Sequence, residues 1–173
     1  MATYNGEKYL SEQVDSLLAQ SYPSLEFIFV DDASSDGSHA ILQQYASQDE
    51  RIRLVANPVN QGLLATFERG IREAKGELIA LSDQDDVWIP NKISLLAATI
   101  GHNSMIYADS ALTDAAGTVT GKFSDRNQLG DYPSALHYVF GTKAMGHAML
   151  FRSQLFPCDF SELPPTQFKH DGG

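Results

Sequence analysis

Short apolar runs alternate with helical patterns along most of the chain. Each run is bounded by turn residues, which is typical of strands that are buried on both faces. The predicted strands are Leu25–Val30, Ile52–Ala56, Leu78–Leu81 and Ser104–Ala108. Apolar residues at helical spacing mark the segments around them: Leu10, Val14, Leu17 and Leu18; Leu64, Phe67, Ile71 and Ala74; and Ile93, Leu96 and Ala97.

This alternation predicts right-handed βαβ units and an α/β fold with a doubly wound, mostly parallel sheet flanked by helices. We expect Ser35 or Asp36 to cap the helix that follows Val30, and Pro90 to be the first residue of the helix that carries Ile93. Ligands bind such sheets at the carboxyl ends of the strands.

The alternation fades after Gly117, so we divide the single predicted domain into two halves, 1–115 and 116–173. In the second half, Thr118–Lys122 is predicted to be a hairpin arm and Ala148–Phe151 a further short strand. Asp125–Pro133 is polar and rich in turn residues, which is typical of a loop.

The chain is acidic, with 22 Asp and Glu against 12 Lys and Arg and a formal net charge of −10. This balance excludes a nucleic-acid binder, which needs clustered cations to neutralise phosphates. A phosphate-bearing ligand would need an intervening cation for the same reason. No apolar run spans a bilayer, and the one cysteine, Cys158, has no internal partner. We therefore expect a cytoplasmic protein with, at most, peripheral membrane contact.

Carboxylates are concentrated directly after the third predicted strand, in Asp83-Gln84-Asp85-Asp86. Like charges held this close repel one another unless a cation neutralises them. Hard oxygen ligands suit Mg²⁺ or Mn²⁺, which bridge to substrate phosphates. The alternative is a solvated acidic turn in which Trp88 and Ile89 are core anchors.

Two further acidic residues, Asp31 and Asp32, end the first predicted strand. A carboxylate here is suited to accept the imide N–H of a uracil or thymine base, and we assign this role to Asp32 and a capping role to Asp36. The chain lacks a phosphate-binding loop of the P-loop type and a dinucleotide fingerprint after a strand. His39 has no partner at a recognisable spacing, and we interpret it as a surface or capping residue.

Four segments of the chain carry a resemblance to a known family. They are Ala2–Gly6, Val30–Gly37, Asn60–Gly62 and Ser82–Trp88, in this order. Together they resemble the family 2 glycosyltransferases of the GT-A fold, over Met1 to about Asp109. The last segment is most similar to the rhamnosyltransferase-like branch, which includes enzymes of surface-polysaccharide synthesis.

The resemblance implies an inverting transferase that moves a sugar from a UDP- or dTDP-sugar to the hydroxyl of a saccharide or lipid-linked saccharide. It implies a catalytic base, Asp171, and an acceptor-side residue, His147. It implies metal binding by Asp83 and Asp85, with Mn²⁺ or Mg²⁺ as the cofactor. The nucleotide-sugar site that it implies comprises Ala2, Tyr4, Asp32, Gly62, Asp83 and Gln84.

The chain departs from the family pattern at both ends. Only Met1 and Ala2 stand where relatives carry a full first strand, and Gly172-Gly173 follow His170-Asp171 directly. We therefore expect a truncated form of the enzyme. The alternatives are a donor-binding but inactive transferase, a metal-dependent nucleotidylyltransferase and a receiver-like signalling domain.

Overall fold

A computed structural model describes residues 1–114, 116–125 and 148–155. The helices are α1 Glu7–Leu18, α2 Ser38–Gln48, α3 Leu63–Glu73 and α4 Lys92–Thr99. The strands are β1 Ala2–Thr3, β2 Phe27–Asp31, β3 Ile52–Ala56, β4 Leu78–Ala80, β5 Met105–Tyr107, β6 Ala111–Thr113, β7 Val119–Lys122 and β8 Met149–Arg152.

The first sheet is parallel and has the order β1-β2-β3. Ala2 pairs with Val30, and Phe27 pairs with Ile52 at the start of the β2–β3 ladder. Helix α1 connects β1 to β2 and α2 connects β2 to β3, so these strands form the βαβ units that the alternation predicts. The carboxyl ends of β1 and β2 therefore lie at one edge of this sheet.

The second sheet has the order β4-β8-β5, and β8 runs antiparallel to both neighbours. Strands β4 and β5 thus share a direction but are separated by a strand from much later in the chain. A backbone hydrogen bond from Ala2 N to Ser82 O, 3.3 Å, connects β1 to the residues after β4. The α/β fold is confirmed, with a mixed arrangement in this sheet.

The main core lies where α1 and α2 pack on β2. Leu10, Val14, Phe29 and Leu42 are at most 1% exposed, and Trp88 joins the same cluster. Burial of each such side chain contributes about 1.5–3 kcal/mol. Of the two core anchors in the alternative interpretation, Trp88 is buried and Ile89 is 60% exposed. Trp88 connects the acidic segment, defined as Asp83–Asp86, to the core.

Two helix boundaries differ from the predictions. Helix α2 begins at Ser38 with Gly37 at the N-cap position, because the carboxylate of Asp36 accepts the Ser38 N–H at 3.0 Å and closes a turn before the helix. Helix α4 begins at Lys92 and not at Pro90, because a turn bond from Lys92 N to Ile89 O, 3.0 Å, precedes it.

The second half of the chain is described only in part. Strands β6 and β7 form the predicted hairpin, and β8 corresponds to the predicted strand Ala148–Phe151. The predicted loop Asp125–Pro133 lies outside the described residues beyond Asp125. Among the described helices, none has both the length and the apolar character that crossing a bilayer requires.

Candidate active site

The loop after β1 is joined to the loop after β2 by hydrogen bonds. Asn5 donates its backbone N–H to Ser34 Oγ at 3.0 Å, and its side-chain Oδ1 accepts the Ser35 N–H at 2.8 Å. Gly6 donates its N–H to Ser38 Oγ at 2.8 Å. Asn5 has a φ of 49°, a conformation that Asn tolerates better than most residues. The two loops are therefore joined into one rim at the carboxyl edge of the sheet.

Gln84 connects the acidic segment to this rim. Its Oε1 accepts the Tyr4 N–H at 2.8 Å, and its Nε2 donates to the Tyr4 carbonyl at 3.2 Å. A Cβ atom on Gly6 would lie 2.5 Å from Gln84 Oε1, so this close approach requires glycine. The structure thus brings together two residues, Tyr4 and Gln84, that lie far apart in the sequence.

Asp32 is buried, 3% exposed, and its carboxylate organises the loop before α3. Its Oδ1 accepts Asn57 Nδ2 at 2.6 Å and the Gln61 N–H at 2.9 Å, and its Oδ2 accepts the Gly62 N–H at 2.9 Å. A carboxylate has about four acceptor positions, and Thr66 is a fourth hydrogen-bond partner of this one. Burial raises the pKa of Asp32, but the hydrogen bonds from Asn57, Gln61, Gly62 and Thr66 outweigh it and lower the pKa below its usual value.

Two further residues beside Asp31 and Asp32 lack a recognisable signal in the sequence. Arg69 donates to Asn57 Oδ1 and to the Ala56 carbonyl, which fixes the amide that holds Asp32. His39 Nδ1 lies 3.0 Å from Asp31 Oδ2, so His39 is a partner of a buried carboxylate as well as a surface residue. Spacing does not reveal these contacts, because the partners come from different elements of the chain.

The acidic segment has a cation beside it. The ammonium of Lys92 lies 3.7 Å from the centroid of the Trp88 ring. Burial lowers the pKa of Lys92 to about 8, against the opposing attraction of Asp86 and Asp83. Asp85 is exposed, whereas Asp83 and Asp86 are partly buried. The described part of the chain holds no group of three His, Cys, Asp or Glu residues that is ready to bind a metal.

The donor set nevertheless suits a hard divalent cation. Mg²⁺ and similar ions are commonly held by one or two carboxylates together with water and substrate phosphates. Asp83 and Asp85 lie on an irregular segment at the sheet edge and would supply two oxygen ligands, so a third protein ligand would not be required. These residues therefore fit Mn²⁺ or Mg²⁺ that is bound jointly with a diphosphate.

The remaining predicted site residues fall into two groups. Ala2 is buried in β1, and Gly62 precedes α3 with φ 85° and ψ 164°, a region that is essentially restricted to glycine. His147 and Asp171 lie outside the described residues. A cavity of about 550 Å³ lies between β2 and β4, but Asp32, Asp83 and Asp85 are not among its lining residues.

Solved structures with the same architecture belong to glycosyltransferases. The chain aligns with Staphylococcus aureus TarS in complex with UDP at a TM-score of 0.68 and 22% identity, covering 89% of this chain and 46% of that one. It aligns with a mannosyltransferase from Pyrobaculum calidifontis in complex with GDP-Man and Mn²⁺ at a TM-score of 0.63 and 20% identity, covering 89% and 43%. The fold is that of the GT-A glycosyltransferases.

The family model for glycosyl transferase family 2 matches residues 1–156, and the chain belongs to this family. It is 40% identical over 93 residues to glycosyltransferase GlyG of Streptococcus pneumoniae, covering 54% of this chain and 31% of the relative. It is 30% identical over 125 residues to the Escherichia coli glucosyltransferase WfgD, covering 71% and 48%. The chain thus spans less than half the length of either relative. Family membership removes the receiver-like and nucleotidylyltransferase alternatives.

Proposed function

We propose that this chain forms the donor-binding part of an inverting glycosyltransferase that uses a UDP- or dTDP-sugar. The observation that carries the proposal is the convergence of Tyr4, Asp32 and the acidic segment at one edge of the sheet. The Tyr4–Gln84 pair connects the rim to the acidic segment, and the bond from the Gly62 N–H to the Asp32 carboxylate fixes the loop beside them. Ligands bind α/β sheets at this edge.

In this proposal the nucleobase lies against Tyr4 on the rim and Ala2 in β1. The Asp32 carboxylate receives the imide N–H of uracil or thymine, which cytosine lacks. Because three protein donors hold the Asp32 carboxylate, its orientation is fixed before the ligand arrives. Such preorganisation lowers the entropic cost of binding.

Asp83 and Asp85 hold Mn²⁺ or Mg²⁺, with Gln84 fixing the segment between them. A divalent ion, when bound, supplies charge stabilisation for the departing diphosphate. The carboxylates offset part of the ion's charge and keep it at the sheet edge. Asp85, which is exposed, offers the more accessible ligand.

We assign the base to Asp171 and the acceptor side to His147, on the resemblance of their segments to the family pattern. Asp171 removes the proton of the acceptor hydroxyl as that oxygen attacks the anomeric carbon on the face opposite the diphosphate. The configuration at that carbon inverts.

The name of WfgD specifies a UDP-Glc donor and a diphosphoundecaprenol-linked acceptor. By analogy, we propose a saccharide or lipid-linked saccharide acceptor, a role in surface-polysaccharide synthesis and a position in the cytoplasm or at the inner face of the membrane. This part of the proposal depends on family analogy and not on the geometry of the site.

Calorimetric titration of UDP, dTDP and CDP, each with Mn²⁺ and with EDTA, tests the donor site. Wild type is compared with Asp85→Asn and with Glu12→Gln, a charge-matched change at an exposed position of α1. We expect UDP or dTDP binding that needs Mn²⁺, is lost in Asp85→Asn and is retained in Glu12→Gln. CDP should bind more weakly, because its base lacks the imide N–H.

Binding that is equal with EDTA, or equal in Asp85→Asn, would refute the metal assignment. A folded wild-type chain that binds none of the nucleotides would refute the donor site. Product formation from a nucleotide sugar, with loss in Asp171→Asn, tests the assignment of the base separately.

A further inference from the structure

Helix α1 and the turn after it bury three polar side chains among the apolar residues of the core. Gln13, Ser16 and Gln20, here called the polar stripe, are 0%, 9% and 7% exposed. Gln13 lies between Leu10 and Val14, on the face that the apolar periodicity assigns to the core. Polar side chains are costly at such positions unless hydrogen bonds satisfy them.

The polar stripe contacts the chain on both sides of the acidic segment. On the N-terminal side, Gln13 Nε2 donates to Ser82 Oγ at 2.6 Å. On the C-terminal side, Ser16 Oγ accepts the Trp88 N–H at 3.0 Å.

Gln20 adds two bonds beyond Trp88. Its Nε2 donates to the Ile89 carbonyl at 2.7 Å, and its Oε1 accepts the Ile93 N–H at 3.1 Å. The stripe is also connected internally, because Ser16 Oγ donates to Gln13 Oε1 at 3.0 Å.

The acidic segment lies in a stretch without regular secondary structure. Residues 81–89 belong to no helix or strand, so no backbone ladder fixes their path. The stripe supplies buried partners at both ends of this stretch, where low polarity strengthens each hydrogen bond. Ser82 extends this hydrogen-bond network to Asp83, because its Oγ donates to the Asp83 carbonyl at 3.0 Å.

We propose that Gln13, Ser16 and Gln20 are positioning residues for the metal and diphosphate site. They act through Ser82 and Trp88 to hold Asp83 and Asp85 in the arrangement that a divalent ion and a diphosphate require. The inference rests on the proposed function and assigns these residues no contact with substrate.

The test compares Gln13→Met and Ser16→Ala with Leu42→Val. The first two remove hydrogen bonds to the segment, whereas Leu42→Val removes buried apolar volume in α2 and is not part of the stripe. The UDP affinity at saturating Mn²⁺ and the Mn²⁺ dependence of that affinity are measured by calorimetry. Thermal unfolding and circular dichroism identify the temperature at which every variant is folded.

We expect Gln13→Met and Ser16→Ala to weaken Mn²⁺-dependent UDP binding by about 10- to 100-fold, as for other residues that orient metal ligands. Leu42→Val should lower thermal stability without this loss of affinity. Hydrogen exchange without ligand should become faster at the Trp88 amide in Ser16→Ala, because its acceptor is removed.

If all three variants lose affinity only in proportion to their loss of stability, the polar stripe is merely structural and the inference is overturned, while the donor site stands. If the folded wild type shows no Mn²⁺-dependent UDP binding, the proposed function fails and the inference fails with it. Equal affinity in wild type and Gln13→Met would also overturn the inference.

Discussion

Asp32 offers a quantitative test of how the donor-side loops are held. Asp32→Ala removes the acceptor of three hydrogen bonds, from Asn57 Nδ2, Gln61 N and Gly62 N. Hydrogen bonds to a charged group contribute about 1.5–3 kcal/mol each. Because water can enter beside Gln61 and Gly62 at the loop surface, we expect a total loss of about 3–5 kcal/mol in the free energy of unfolding.

Equilibrium unfolding in urea measures this loss. The chain has one tryptophan, Trp88, which is buried and gives a fluorescence signal for unfolding alongside circular dichroism. With a slope of about 2 kcal/mol per molar urea, the midpoint should fall by about 1.5–2.5 M. The control is Asp49→Ala, which removes an ion pair with Arg51 at the surface, and its effect should be small.

The pH dependence of stability tests the direction in which folding shifts the pKa of Asp32. The folded-state pKa of Asp32 is lowered, so the stabilisation is fully present above the usual carboxyl pKa and is lost as the pH falls through the folded value. Asp32→Asn should therefore lose less stability than wild type on acidification below about pH 4. An Asp32→Ala midpoint that matches the Asp49→Ala control, or an unchanged acid profile in Asp32→Asn, would refute the reasoning.

Three further predictions concern the loops around the site. Gly62→Ala should destabilise the fold by about 1–3 kcal/mol through backbone strain alone, since no atom lies within 4 Å of the new Cβ. An unchanged urea midpoint would contradict this prediction. Gly6→Ala should lower the free energy of unfolding less in a Gln84→Ala background than in wild type, because Gln84 Oε1 is the atom that the new Cβ meets. A double-mutant cycle checks this, and additive effects of the two changes would exclude the contact. In EDTA, the free energy of unfolding should rise between about pH 8 and about pH 10, because folded Lys92 loses in this range the proton that unfolded Lys92 retains. Urea midpoints measured across this range should rise for wild type, and Lys92→Met should not show the same rise.

The local sequence pattern predicts the helices and strands but not the whole order of the strands in the sheets. The apolar spacing of Leu10, Val14 and Leu17 defines the buried face of α1, and all three residues are buried. The insertion of β8 between β4 and β5 depends instead on pairing between segments that are distant in sequence, such as Ile79 with Phe151. The periodicity of a strand does not indicate which other strands it will pair with.

The candidate site, like the fold, is predictable from the sequence only in part. Composition and position at a strand end are sufficient to single out the acidic segment, because carboxylates held this close repel one another unless a cation or water offsets their charge. The partners of Asp32 are not predictable by this route, since Asn57 and Gly62 belong to another loop. Gln13 did leave a signal, a polar residue at a core position of α1, but its meaning depends on Ser82, which follows β4.

The charges around the acidic segment have a consequence for ligand binding. Lys92 lies near Asp86 and Asp83, so part of the negative charge is already balanced by the protein. Asp85 is the exposed carboxylate of the segment, and its charge faces water. In a chain with a net charge of −10, a diphosphate approaching this edge meets repulsion unless a divalent ion arrives with it. Lys92 contributes a single positive charge that is held against Trp88, so it reduces the repulsion without replacing the ion.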